Sequence, residues 1–169
     1  MTISGIEAAP DGSYGSFNGT ALTGASQTVS VPFTSGVASP LLVLNKADKQ
    51  AIGFSIDGVS TPSAGNLTIT PVPGAVSSMT LTQDITAPSS NGGAFAQQPK
   101  ITLKDTYGNV CTNDSTTQVT VAKNDSGSWT LTGTTKTVGF TAAWNKRGSF
   151  RYQGNRQHIR AVGFDDKGN

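Results

Sequence analysis

Short runs in which β-branched and apolar residues alternate with small polar ones recur along the chain, separated by turn formers. Gln27–Phe33 (QTVSVPF), Ala51–Ile56 (AIGFSI), Asn66–Val72, Ser78–Thr82, Lys100–Lys104 (KITLK), Gln118–Ala122, Ser128–Leu131 and Thr135–Phe140 each predict a short strand. A period of two puts one face of each run toward a core and the other toward water. Between the runs lie Asp57-Gly58, Pro73-Gly74, Asn91-Gly92-Gly93 and Tyr107-Gly108-Asn109, where Gly or Asn supplies the positive φ of a tight turn. Pro32 predicts an edge or a bulge, because proline donates nothing to a ladder. Glutamate occurs only at Glu7, leucine is sparse, and no window keeps a 3.6-residue apolar period over ten residues. The pattern predicts an all-β chain with almost no helix, and the strand spacing fits a β-sandwich.

Composition sharpens this picture in two places. The 169 residues have room for one large sandwich or about one and a half small ones. No stretch approaches the roughly 20 apolar residues of a membrane helix, and neither a basic nor an apolar leader follows Met1. Cys111 is the only cysteine, so an internal disulfide is impossible and the thiol reads as a small buried hydrophobe. Charge is unevenly spread. Residues 1–145 hold six Lys against eight acids, whereas 146–169 hold six Lys or Arg against two acids, with all four arginines and the only histidine, His158. The tail 146–169 is therefore compositionally set apart.

An internal repeat organises the rest. Asp11–Val31 (DGSYGSFNGTALTGASQTVSV) aligns, with gaps, on Asn124–Phe140 (NDSGSWTLTGTTKTVGF) at an offset of about 110 residues. Gly15-Ser16-Phe17 falls on Gly127-Ser128-Trp129, and Gln27-Thr28-Val29 on Lys136-Thr137-Val138. The repeat divides the chain into 1–74, the C-terminal part of a first module cut at its N-terminus; 75–145, the N-terminal part of a second; and the basic tail 146–169. Codon degeneracy also lets residues 150–168, read one nucleotide later, encode FDTRATGNIFGRLGLTTKG, which looks like missing strands of the same repeat. An out-of-frame tail is thus one expectation, and a solvated terminal strand or hairpin is the other.

The segment Gly74–Val121 resembles the bacterial immunoglobulin-like repeats of surface-layer and cell-surface proteins, relatives of invasin/intimin and filamin-like sandwiches. The resemblance rests on Gln98-Pro99, the alternating strand to Lys104, then Asp105-x-Tyr107-Gly108-Asn109, followed by Asp114-Ser115. It implies an immunoglobulin-like β-sandwich in tandem repeats, secreted or on the cell surface, serving as spacer, lattice or adhesin stalk without cofactor or catalysis. Its partners would be neighbouring repeats or copies of itself.

Candidate chemistry is thin. One histidine and no assembled nucleophile argue against a hydrolase, and we assign no catalytic residue and no cofactor. Asp105, Tyr107, Gly108 and Asn109 read as a structural turn, with Asp105 accepting from turn amides and Gly108-Asn109 tolerating left-handed backbone. The competing reading makes Asp105 and Asn109, with Asp114, Asp125 and Asn113, calcium ligands, although the spacing matches no compact calcium loop. Trp129, Trp144, Phe17 and Tyr107 are candidates for stacking on sugars; because Trp129 and Phe17 share a repeat position, a core or interface role suits them better. Trp144 and Tyr152 remain as ligand contacts in the alternative function, a module binding cell-wall or host glycans. Phe150 and Tyr152 among the arginines also admit an anionic polymer, but nothing around them forms a nucleic-acid-binding motif.

Overall fold

The structure, a computed structural model, describes residues 1–86, 89–90, 95–121, 130–132, 137–139, 151–153 and 161–164. The regular structure of the described residues is antiparallel β, with a single 3-10 turn at Ser63–Gly65. No described helix is long and apolar enough to cross a membrane. The chain divides into two compact units, 1–75 with 104–110, and 76–103 with 111–169.

The first unit contains β1 (Thr2–Ser4), β2 (Gly15–Phe17), β3 (Thr20–Ala21), β4 (Ser26–Thr28), β5 (Leu42–Leu44), β6 (Gln50–Ile56), β7 (Val59–Ser60) and β8 (Leu67–Ile69). One sheet runs β4-β1-β6-β7, with β8 pairing another stretch of β6, and the second runs β3-β2-β5. Ile3 of β1 and Ile52 of β6 meet Phe17 of β2 in one core with Ile6, Leu22 and Val29. The period of two in β6 explains its part in this: Gln50 and Ile52 are buried, whereas Ala51 between them is exposed. Phe54 continues the inward series, with its ring centroid 5.8 Å from that of Phe17.

Three two-residue turns carry positive φ at both centres: Asn18-Gly19 joins β2 to β3, Ser35-Gly36 closes the Thr34–Val37 bridge, and Asp57-Gly58 joins β6 to β7. That geometry matches the right-handed twist of the paired strands. The first expected strand shrinks to β4, and Pro32 falls outside any strand. Residues 29–33 leave the ladder after Val29, whose N–H donates to Met1 O.

In the second unit β9 (Ser78–Gln83) pairs β10 (Lys100–Lys104), the last residue of which already belongs to the first unit. Then come β11 (Gln118–Val121), β12 (Thr130–Thr132), β13 (Thr137–Gly139), β14 (Arg151–Gln153) and β15 (Ala161–Phe164). β11 pairs with β13 and β15, and β12 with β14, all antiparallel. Phe95, Leu103, Cys111 and Val119 are buried, Cys111 as its sequence context predicts.

The described ladders of the two units follow the same order. β4-β1-β6 and β2-β5 in the first are matched by β13-β11-β15 and β12-β14 in the second. Ile3 pairs Phe54, and Val119 pairs Phe164. The sequence follows suit: Ala51-Ile52-Gly53-Phe54 of β6 and Ala161-Val162-Gly163-Phe164 of β15 lie 110 residues apart, as do Asn45-Lys46 and Asn155-Arg156. Both matches fall at one offset, between 45–54 and 155–164.

Candidate functional site

The described residues gather their buried polar side chains around one hairpin. Lys104 and Val110 form an isolated antiparallel bridge, and Asp105 N donates to Asn109 O at 3.0 Å while Gly108 N donates to Asp105 O at 3.1 Å. The turn is thereby closed twice by its own backbone. Gly108 sits at φ +83°, and a Cβ there would lie 3.1 Å from Pro10 Cβ, so both conformation and space call for glycine. Of Gly108 and Asn109, both expected to tolerate left-handed backbone, Gly108 uses it and Asn109 is not among the described residues of positive φ. Its role lies in the side chain.

Asp105 and Asn109 are 4% and 6% exposed. Burial on this scale is affordable to a carboxylate only when donors replace the lost water. Asp105 Oδ1 accepts from Tyr107 N and Asn109 N, both at 2.9 Å; Oδ2 accepts from Gly74 N at 3.0 Å and Asn109 Nδ2 at 2.9 Å. Asn109 Nδ2 gives its other hydrogen to Asn45 O at 2.8 Å, and Oδ1 accepts from Ala47 N at 3.0 Å. The amide orientation follows from these partners, since a flipped group would set NH2 against the Ala47 N–H. Asp11 N donates to Tyr107 O at 3.1 Å, adding a fourth segment of the first unit.

The network continues outward. Asn45 Nδ2 donates to Ser13 Oγ at 2.8 Å, and Ser13 Oγ and N donate to Asp11 Oδ1. Nearby, buried Gln50 accepts from Glu7 N and donates to Lys46 O, and Lys46 forms an ion pair with Glu7. Among the described residues every buried side-chain nitrogen and oxygen has a hydrogen-bond partner.

Electrostatics agree with this geometry. Burial pushes the Asp105 carboxyl up, but hydrogen bonds from the Asn109 side chain and the Gly74, Asn109 and Tyr107 amides outweigh it and hold the group below its ordinary value of 3.8. Asp114, a second turn aspartate, is also held low: burial opposes, and the Thr117 hydroxyl with the Thr117 and Thr116 amides prevails. Asp11, fully exposed, is lowered chiefly by Ser13.

The Asp105 and Asn109 oxygens offered as calcium ligands thus face N–H groups. A cation at Asp105 would have to compete with four donors, and at Asn109 Oδ1 with Ala47 N–H. No group of three or more His, Cys, Asp or Glu side chains among the described residues is arranged to hold a metal. Asp125, Trp129 and Trp144 lie outside the described residues, and Tyr152 is described only as part of β14. Phe17 is 1% exposed and belongs to the core; Tyr107 is 36% exposed. Sequence reasoning missed Asn45, Ala47, Gly74 and Gln50, all in loops or at a strand start. The recurrence of Asn45 at Asn155 was the one available signal for the first of them.

No family model matches this chain, and neither a curated protein nor a solved structure matches it.

Proposed function

We propose that the chain is a non-catalytic structural module, a spacer or assembly element of an extracellular bacterial surface protein, made of tandem immunoglobulin-like β-sandwich repeats. The observation that carries the reading is the Asp105–Asn109 hairpin. There the chain buries a carboxylate and an amide, the kind of group from which an enzyme or a metal site is built, and the hydrogen bonds described for them close their own turn and tie it to Gly74, Asn45 and Ala47. The repeat is supported by the shared ladder order and by the 110-residue recurrence of Asn45-Lys46 and Ala51-x-Gly53-Phe54. The sandwich is supported by the common core that two sheets of the first unit contribute to.

In this reading function resides in repetition: each module adds length, and its neighbours are further modules or copies of itself. The test is binding of the purified chain to cell-wall polysaccharide and to a glycan array. A spacer gives no saturable signal. Saturable binding that Trp144→Ala or Tyr152→Ala abolishes would replace it with the carbohydrate-binding adhesion module, and binding to nucleic acid with steep salt dependence would point to the basic tail.

A further inference from the structure

We infer that the first unit carries a docking surface for an Asp-x-Tyr-Gly-Asn hairpin, and that residues 104–110 are its built-in ligand, donated by the stretch of chain that opens the following module. The surface consists of backbone groups from three separate segments: Asp11 N, Asn45 O with Ala47 N, and Gly74 N. Each meets a group on the hairpin, respectively Tyr107 O, the Asn109 side-chain amide and the Asp105 carboxylate. The residues between Ala75 and Lys104 belong to the other unit, so the chain leaves the first unit and returns to it only for this hairpin.

The chemistry of the surface selects its occupant. Three N–H groups, those of Asp11, Ala47 and Gly74, require acceptors; the Asn45 carbonyl requires a donor; and Pro10, 3.1 Å from where a Cβ would stand, crowds any side chain at the position of Gly108. A hairpin with a carboxylate, a glycine and a carboxamide in that order meets all of these demands. Withdrawing it takes from the Ala47 and Gly74 amides and the Asn45 carbonyl the groups they now meet and uncovers the buried Asp105 and Asn109 side chains, so the surface and its occupant form a cooperative whole. The first unit therefore attains its full resistance to opening only when 104–110 are in place. That the donor is a following module rests on the repeat reading above; that the hairpin completes the first unit does not.

Hydrogen exchange on the full chain tests this, first with the wild type in increasing sub-denaturing urea. The amides of Tyr107, Asn109, Ala47 and Gly74 are expected to merge into the same opening transition as those of β1 and β6. Opening of the hairpin amides at lower urea, with β1 and β6 still closed, would overturn the inference. Asn109→Ala is then expected to speed exchange in β1 and β6 at least tenfold, although neither strand contains a residue bonded to the Asn109 side chain. Acceleration confined to 104–111 would contradict it. Asp114→Ala, in the second unit, serves as the control and should change only its own turn. Absence of further Gln-Pro…Asp-x-Tyr-Gly-Asn copies in the full reading frame would remove the repeat reading while leaving the exchange result untouched.

Discussion

Two aspartates in turns nine residues apart share a chemistry and differ in reach. Asp114 accepts from Thr116 N, Thr117 N and the Thr117 hydroxyl, all within three residues, and remains partly exposed. Asp105 accepts from its own turn and also from Gly74, and through Asn109 it is tied to Asn45 and Ala47, more than 60 residues earlier. An aspartate that only shapes a turn can be solvated when the turn opens. One that is buried between distant segments carries part of the tertiary structure. Both open a turn, and the burial separates them.

Substitution should expose that difference. Asp105→Ala strands the Gly74, Tyr107 and Asn109 amides and one hydrogen of the Asn109 side chain, and should destabilise the chain by roughly 3 kcal/mol in urea unfolding. Asp105→Asn should rescue little of this, because its NH2 must face N–H donors on one side or the other. Next in size, Gly108→Val combines positive φ with the approach to Pro10 and should cost about 2 kcal/mol. Asp114→Ala should cost about 1 kcal/mol, the loss of a local turn. Equal costs at Asp105 and Asp114 would erase the comparison. The smallest effect is the acid response. Both carboxyls are held below 3.8, so their contribution is complete above that value and is lost as pH falls through the lower folded-state values. Wild-type unfolding free energy should be flat near neutrality and drop below about pH 4, and Asp105→Asn should flatten part of the drop.

How far the sequence could be read follows the same division between local and distant. Strands β6, β9, β10 and β11 emerge from alternation, and Asp57-Gly58 from turn chemistry, because both are properties of neighbouring residues. β1 and β5 did not, because no alternating run longer than the strands themselves surrounds them, yet Ile3 and Leu42 pack in or against the core. Asn18-Gly19 was a legible hairpin signal that the Gly- and Ser-rich surroundings obscured. In the tail, the concentration of arginine drew attention from Ala161-Val162-Gly163-Phe164, whose likeness to β6 is plain once the strand partners are known. The turn role of Asp105 was readable from Asp-x-Tyr-Gly-Asn. Its attachment to Gly74, and that of Asn109 to Asn45 and Ala47, was not, because no local pattern states which distant amide a side chain will meet.

The central claim, that Asp105 and Asn109 bind chain and not metal, is tested most directly by thermal unfolding of the wild type with millimolar calcium and with a chelator. The account predicts the same Tm in both, and the same loss on Asp105→Ala whether or not calcium is present. A Tm that rises with calcium, and a rise that Asp105→Ala abolishes, would contradict it.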